Sequence, residues 1–163
     1  MICSNASQRR RRSGAEEEAV RLFRSSLASI LLETKDREDR AYLRQQAGQF
    51  FLTRGSFEDA AEHLDSLTRT DPHRYDAFYL LGIARARSGR GPEAIGAVEE
   101  AMRRTPAAEY GKRSRGYLIL SSVYEQQGQR EEAEAALREA LRLDPENRAA
   151  REALERLTNE NIP

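Results

Sequence analysis

The chain repeats itself. Gly48 and Gly82 lie 34 residues apart, and the same interval separates Gly55 from Gly89, Ala60 from Ala94 and Pro72 from Pro106. A third copy follows in Gly128, Ala133 and Pro145, with the same mutual offsets displaced by 5 extra residues. A period of this length marks a stacked array, because no single unit can bury its own core and each must lean on its neighbours.

Composition agrees with an array of helices. Ala, Glu, Arg and Leu dominate, all good helix formers, and runs of β-branched residues are absent. Hydrophobic residues make up 39% and charged residues 33% of the 163 positions, a polar profile that suits a thin stack in which every helix keeps a wet face. Acidic and basic residues balance at 27 each, which argues against a nucleic-acid binder driven by its overall field. The cations are nearly all arginine, Lys35 and Lys112 being the lysines. That bias fits bidentate carboxylate recognition and equally fits codon usage in a GC-rich genome.

At this point the sequence resembles the tetratricopeptide repeat family. Residues 41–74 supply Ala47, Gly48, Phe51, Gly55, Ala60, Leu64 and Pro72 to its pattern. Residues 75–108 supply Phe78, Leu81, Gly82, Gly89, Ala94, Val98, Ala101 and Pro106. Residues 114–147 supply Tyr117, Leu120, Tyr124, Gly128, Ala133, Leu137, Ala140 and Pro145. The resemblance implies an all-α fold, a right-handed superhelical α-solenoid of three helix hairpins. The small residues let helix backbones approach, the large ones fill the space between them, and Gly55, Gly89 and Gly128 end first helices in a left-handed turn. Asp71-Pro72 and Asp144-Pro145 read as an N-cap followed by Pro at the first helical position. Departures stand out as well. Arg44 and Arg85 replace aromatics, Leu67 replaces a small residue and Ser121 a glycine; Arg85 is expected to lay its stem on apolar neighbours and carry its head to water or a carboxylate.

The flanks follow a different logic. Residues 1–14 read as a disordered basic tail. The Arg9–Arg12 run is taken as solvated, with contact to nucleic acid or anionic lipid as the alternative. Residues 15–34 read as an amphipathic helix with Glu16, Glu17 and Glu18 near its start and Val20, Phe23, Leu27, Ile30 and Leu31 on one face. It is expected to cover the open end of the stack near Leu43 and Phe50; lying in the groove or swapping to a second protomer are the alternatives. The repeats and a polar capping helix over 146–160 fill 41–160, with Ala149, Ala153, Leu154 and Leu157 turned to the stack. The insertion around Glu109–Arg113 is expected to lengthen the next helix by about a turn, starting from Thr105-Pro106. Lys112, Arg113 and Arg115 would then form a basic lip.

Catalytic and metal chemistry find no foothold. His63 and His73 lack ligand partners in any recognisable pattern, and Gly89-Arg90-Gly91-Pro92 reads as an interhelical turn rather than a phosphate loop. An enzyme and a cofactor are therefore not expected, nor a small-molecule substrate. Cys3 stands alone, so no internal disulfide forms. Arg9–Arg12 precede Ser13-Gly14-Ala15-Glu16 rather than an apolar stretch, so a signal peptide is not read, and no apolar run spans a bilayer. The expected compartment is the cytoplasm.

In this family first helices line the concave face and hold a peptide or helix of another protein. The resemblance carries that role to Gln45, Gln49, Asp76, Tyr79, Leu80, Ile83, Arg87, Arg115, Leu118, Ile119, Ser122 and Gln126. One subclass clamps the C-terminal carboxylate of heat-shock chaperones. Of its positions only Arg115 fits here, since Gln45, Gln49, Leu80 and Ile119 occupy the others, so that peptide end is not expected to bind. The second function carried forward is a self-associating scaffold, a homodimer built through the groove or the N-terminal helix.

Overall fold

Eight helices follow one another in the computed structural model, which describes residues 3–159 and, from Gly14 on, their side chains. They are α1 (Cys3–Glu33), α2 (Arg37–Thr53), α3 (Phe57–Thr70), α4 (Tyr75–Arg87), α5 (Gly91–Arg104), α6 (Tyr110–Gln126), α7 (Arg130–Leu143) and α8 (Arg148–Asn159). The closest packing is within the pairs α2/α3, α4/α5 and α6/α7, and successive pairs meet through α3/α4 and α5/α6. The chain is an all-α solenoid.

Three turns of one kind close the hairpins. Gly55, Gly89 and Gly128 have φ of 75°, 78° and 73°, a left-handed backbone that side-chain-bearing residues rarely adopt. Beyond each, an amide returns to the same place in the preceding helix: Ser56 N–H to Phe51 C=O, Arg90 N–H to Arg85 C=O and Gln129 N–H to Tyr124 C=O, at 2.9, 2.8 and 2.9 Å. This is the glycine-capped ending that satisfies orphan carbonyls.

Close approach inside the hairpins explains the other repeated spacings. A Cβ on Gly48 would lie 2.5 Å from Leu64 Cγ, and one on Gly82 would lie 2.4 Å from Val98 Cγ2. In the third hairpin Ser121 takes this place, fully buried, and its hydroxyl donates to Leu118 C=O at 2.8 Å. Leu67 is also fully buried, in a small cluster with Ala41 and Ala77. Arg85 behaves as its position demands, donating to Asp65 Oδ1 at 2.8 Å and to Glu93 C=O at 3.3 Å.

Several boundaries differ from the sequence expectation. Helix α1 reaches back to Cys3, so the segment placed in a disordered tail over 1–14 is helical from that residue. It contains no proline, and its Gln and Arg residues extend a helix readily. Glu16, Glu17 and Glu18 therefore sit inside α1 rather than at its start, and the Arg9–Arg12 side chains lie outside the described residues. The Asp-Pro pairs end helices instead of starting them. Asp71 and Asp144 have φ/ψ of −137°/79° and −140°/90°, away from the α region that a following proline disfavours. Asn147 caps α8 in Asp144's stead, its Oδ1 accepting from Ala150 N–H at 3.1 Å. Helix α6 is four residues longer than α4, but it begins at Tyr110, not Pro106.

At the N-terminal end, α1 packs Val20, Phe23, Leu27 and Leu31 against Leu43, Phe50 and Phe51. The Phe23 and Phe50 ring centres lie 4.0 Å apart, so α1 meets α2 at the aromatic residue where the end cap is expected. Ile30, expected on the buried face, is exposed, as are Leu22 and Leu32. At the other end, α8 buries Ala150 and Leu157, with Ala153 and Leu154 half-buried; Ala149 points outward, one residue out of step with the expected face. Residue 160, the last of the expected capping helix, lies outside the described residues.

Candidate functional site: a cleft across three first helices

Helices α2, α4 and α6 run side by side and leave a cleft of about 310 Å³ lined by Gln45, Gln49, Asp76, Tyr79, Leu80, Ile83, Lys112, Arg115 and Ile119. Eight of the twelve sequence-derived groove residues thus meet in one depression. Leu80, Ile83 and Ile119 form its apolar strip and are only half-buried. Gln45 and Gln49 stand on the α2 wall, and Arg115 on the α6 wall.

Two groove residues have a different job from the one expected. Tyr79 is buried, with 9% of its surface exposed, and belongs to a core cluster with Val98, Ala101, Leu120 and Ala136. Its hydroxyl meets Thr105 Oγ1 at 3.1 Å, and since Thr105 donates to Ala101 C=O, the tyrosine is the donor to Thr105. Burial pushes the Tyr79 phenol above its ordinary value. Tyr79 is therefore the floor of the cleft, fixed by the core beneath it. Leu118, one repeat later, packs with Leu137, Ala150 and Leu154 towards α8 and does not line the cleft. Tyr79 and Leu118 occupy the same place in their repeats, where the side chain turns to the helix that follows. Gln45 occupies that place in the first repeat and accepts from Arg74 at 3.4 Å. Arg87, Ser122 and Gln126 are exposed outside the cleft, with the Arg87 guanidinium 4.9 Å from the centre of the Phe57 ring.

Lys112 joins the cleft although the sequence placed it only on a lip. Its Nζ donates to Tyr75 Oη at 2.8 Å, lies 3.1 Å from Glu109 Oε2 and sits 4.7 Å from the Tyr75 ring centre. Tyr75 in turn donates to Glu109 Oε1 at 3.0 Å. These bonds hold Glu109 below the ordinary carboxylate value and Lys112 above the ordinary amine value. The insertion is thus pinned onto the preceding repeat, and the pin turns Lys112 into the cleft. Its spacing of three from Arg115 is the signal that could have found it, since such residues share a helix face. Arg113 faces the other side, so the basic lip is divided between two surfaces.

Among the described residues no group of three or more His, Cys, Asp or Glu side chains is placed to hold a metal ion, and no helix is long and apolar enough to cross a membrane.

Stacked helical hairpins, with first helices bordering a shared cleft, define the class: an α-solenoid repeat domain. Family models described as tetratricopeptide repeat match residues 46–109 and 114–147, and the chain belongs to the tetratricopeptide repeat family. No curated protein matches it. Solved structures similar to it include the crystal structure of MamA, with TM-score 0.67, 20% identity and 93% of this chain and 82% of that chain covered. The first tetratricopeptide repeat domain of Spaghetti (RPAP3), bound to an HSP90 peptide, has TM-score 0.64 at 18% identity, covering 75% of this chain and 93% of that one. The Yersinia enterocolitica type III secretion chaperone SycD, in complex with a peptide of the translocator YopD, has TM-score 0.62 at 20% identity, covering 77% of this chain and 94% of that one.

Proposed function

We propose that this chain is a non-catalytic adaptor that holds a peptide or helix of a partner protein in the cleft between α2, α4 and α6, in the cytoplasm. The observation that carries this reading is the half-buried strip Leu80–Ile83–Ile119, bordered by the amides of Gln45 and Gln49 and the cations Lys112 and Arg115. An apolar centre with a polar rim is the anatomy of a surface that buries a partner's side chains and hydrogen-bonds its backbone. The peptide complexes of Spaghetti and SycD support it by analogy of fold. The partner's contacts are apolar in the middle. Leu80 and Ile119 offer no donors at the middle of the cleft, so the proposed ligand is a segment that buries apolar side chains there, with Lys112 and Arg115 left for carboxylates on its flank.

The test is a quantitative affinity capture with wild-type protein, Ile83→Asp and the outer-face control Arg138→Ala. Tyr79 is left intact because it belongs to the core. The adaptor reading expects partners that Arg138→Ala retains and Ile83→Asp loses at least tenfold. Capture by Ile83→Asp at wild-type levels ends it.

A second reading, a self-associating scaffold, is favoured by the apolar side chains on the outside of α1, where Leu22, Ile30 and Leu32 are 56%, 46% and 86% exposed. Sedimentation across a concentration series separates the two, because a monomer at all concentrations leaves the adaptor alone.

A further inference from the structure

The two clefts on the opposite face, between successive second helices, are built on one plan and differ in size and in the residue at one key position. The first, of about 310 Å³, is bordered by α3 and α5 and contains Arg85 together with Asp65. Here the guanidinium of Arg85 bonds the Asp65 carboxylate of the preceding repeat and the Glu93 carbonyl of its own. The second, of about 740 Å³, is bordered by α5 and α7. In it Tyr124 stands where Arg85 stands, Glu99 where Asp65 stands, and Glu132 where Glu93 stands.

The carboxylate that Arg85 bonds, Asp65, is thus repeated as Glu99 and joined in the second cleft by Glu132, whereas the internal cation is not repeated. Glu99, Tyr124 and Glu132 line this one cleft, where burial first, and then the charges of Glu99 and Glu132, push the Tyr124 phenol above its ordinary value. Among the described residues no cation forms an ion pair with Glu99 or Glu132. Of the cleft's own cations, Arg103 pairs with Glu100. Arg113 lies eleven residues from Tyr124 along α6, about 16 Å at the helical rise, and marks the opposite end. Met102, Tyr117 and Leu120 supply apolar surface between them.

We propose that the α5–α7 cleft is a second binding site, which takes an arginine side chain from a partner polypeptide. The guanidinium lies on Tyr124 and pairs with Glu99 and Glu132, supplying in trans what Arg85 supplies in cis one repeat earlier. A planar cation suits an aromatic face flanked by carboxylates better than an ammonium does.

The test uses the full-length chain, isotope-labelled for NMR, and three synthetic ten-residue peptides alike except for two positions that carry arginine, lysine or glutamine. The arginine peptide should shift the amides around Glu99, Tyr124 and Glu132 and bind at least fivefold tighter than the lysine peptide. Tyr124→Arg, which copies the first cleft, should abolish this at unchanged melting temperature, whereas Ile83→Asp should leave it intact, separating this site from the concave one. Glu99→Gln/Glu132→Gln serves if Tyr124→Arg does not fold, with at least a tenfold loss expected. Equal binding of arginine and lysine peptides, shifts confined to the concave cleft, or insensitivity to these variants would overturn the proposal. So would self-association that Tyr124→Arg abolishes, since a second copy would then be the occupant.

Discussion

The helices at the two ends of the stack are held in different ways. At the C-terminal end α8 behaves as one more first helix: Ala150 and Leu157 are buried against the last hairpin, and polar pins fix the register. Asn147 donates to Ser114 Oγ at 2.7 Å, Ser114 donates to Ala140 C=O at 2.8 Å, and Arg156 reaches Glu125 at 2.8 Å. At the N-terminal end α1 approaches α2 with bulk instead of small residues. Phe23 meets Phe50 and Phe51, Leu27 is buried, and the exposed Arg24–Asp59 pair is the polar link to α3. Small residues permit backbone contact and hence short, directional hydrogen bonds, whereas aromatic contact holds the helix through area. An exposed ion pair of that kind contributes little.

If α1 is a cap held by area, removing it should cost the most. A chain lacking residues 1–34 keeps Asp36, whose carboxylate accepts from the Glu38 and Asp39 amides, so α2 still starts properly. It uncovers Phe50, Phe51 and Leu43. The expected loss is about 4 kcal/mol, on the scale of a buried leucine and phenylalanine less the entropy of ordering the helix. Urea unfolding of the two chains measures it; equal midpoints would mean that α1 does not cap the stack.

The other end should respond to a polar change. Asn147→Ala removes the cap on α8 and the bond to Ser114 together, and about 1–2 kcal/mol of stability should go with them. Asn147→Asp should recover part of this, because it can still accept from Ala150 N–H but cannot donate to Ser114. If thermal melts place both variants at wild type, the polar pins are ornamental and area holds this end too.

The contrast also marks what the sequence made legible. The period of 34 residues revealed the hairpins, their turn glycines and the crowding at Gly48 and Gly82, because each is a local consequence of helices touching. The line Gln45, Gln49, Leu80, Ile83, Arg115 and Ile119 was legible for the same reason: one helix face repeated. Leu118 lies outside the cleft and Tyr79 forms its core-held floor because their shared position lies on the border between the cleft and the next repeat, and periodicity does not assign borders. Lys112 depends on contacts with Tyr75 and Glu109 across an insertion that no repeat predicts. The Asp-Pro pairs misled because proline acts on both neighbours: it suits a helix start, yet it also pushes the preceding Asp out of helical backbone.

The smallest effect comes from a half-buried titratable ring at the N-terminal end. His63 lies parallel to Phe51, with ring centres 5.4 Å apart, and its Nδ1 is buried without a hydrogen-bond partner. Burial is the main cause that holds its pKa below the ordinary 6.5, with Arg44 adding to the effect and the carboxylates of Glu62 and Asp59 opposing it. The sign follows from linkage: below that ordinary value the unfolded chain takes up a proton that the folded chain still refuses, so acid favours unfolding. Stability carried by neutral His63 is therefore full above pH 6.5 and falls as pH drops towards the depressed folded value. Replacing His63 by Leu should flatten this part of the stability profile by less than about 1 kcal/mol while keeping the Phe51 contact apolar. Denaturant unfolding between pH 5 and about 7.5 reads the difference, in the range where histidine titrates. A wild-type slope that His63→Leu leaves unchanged would assign the acid sensitivity elsewhere and remove the pH-dependent element from the N-terminal end.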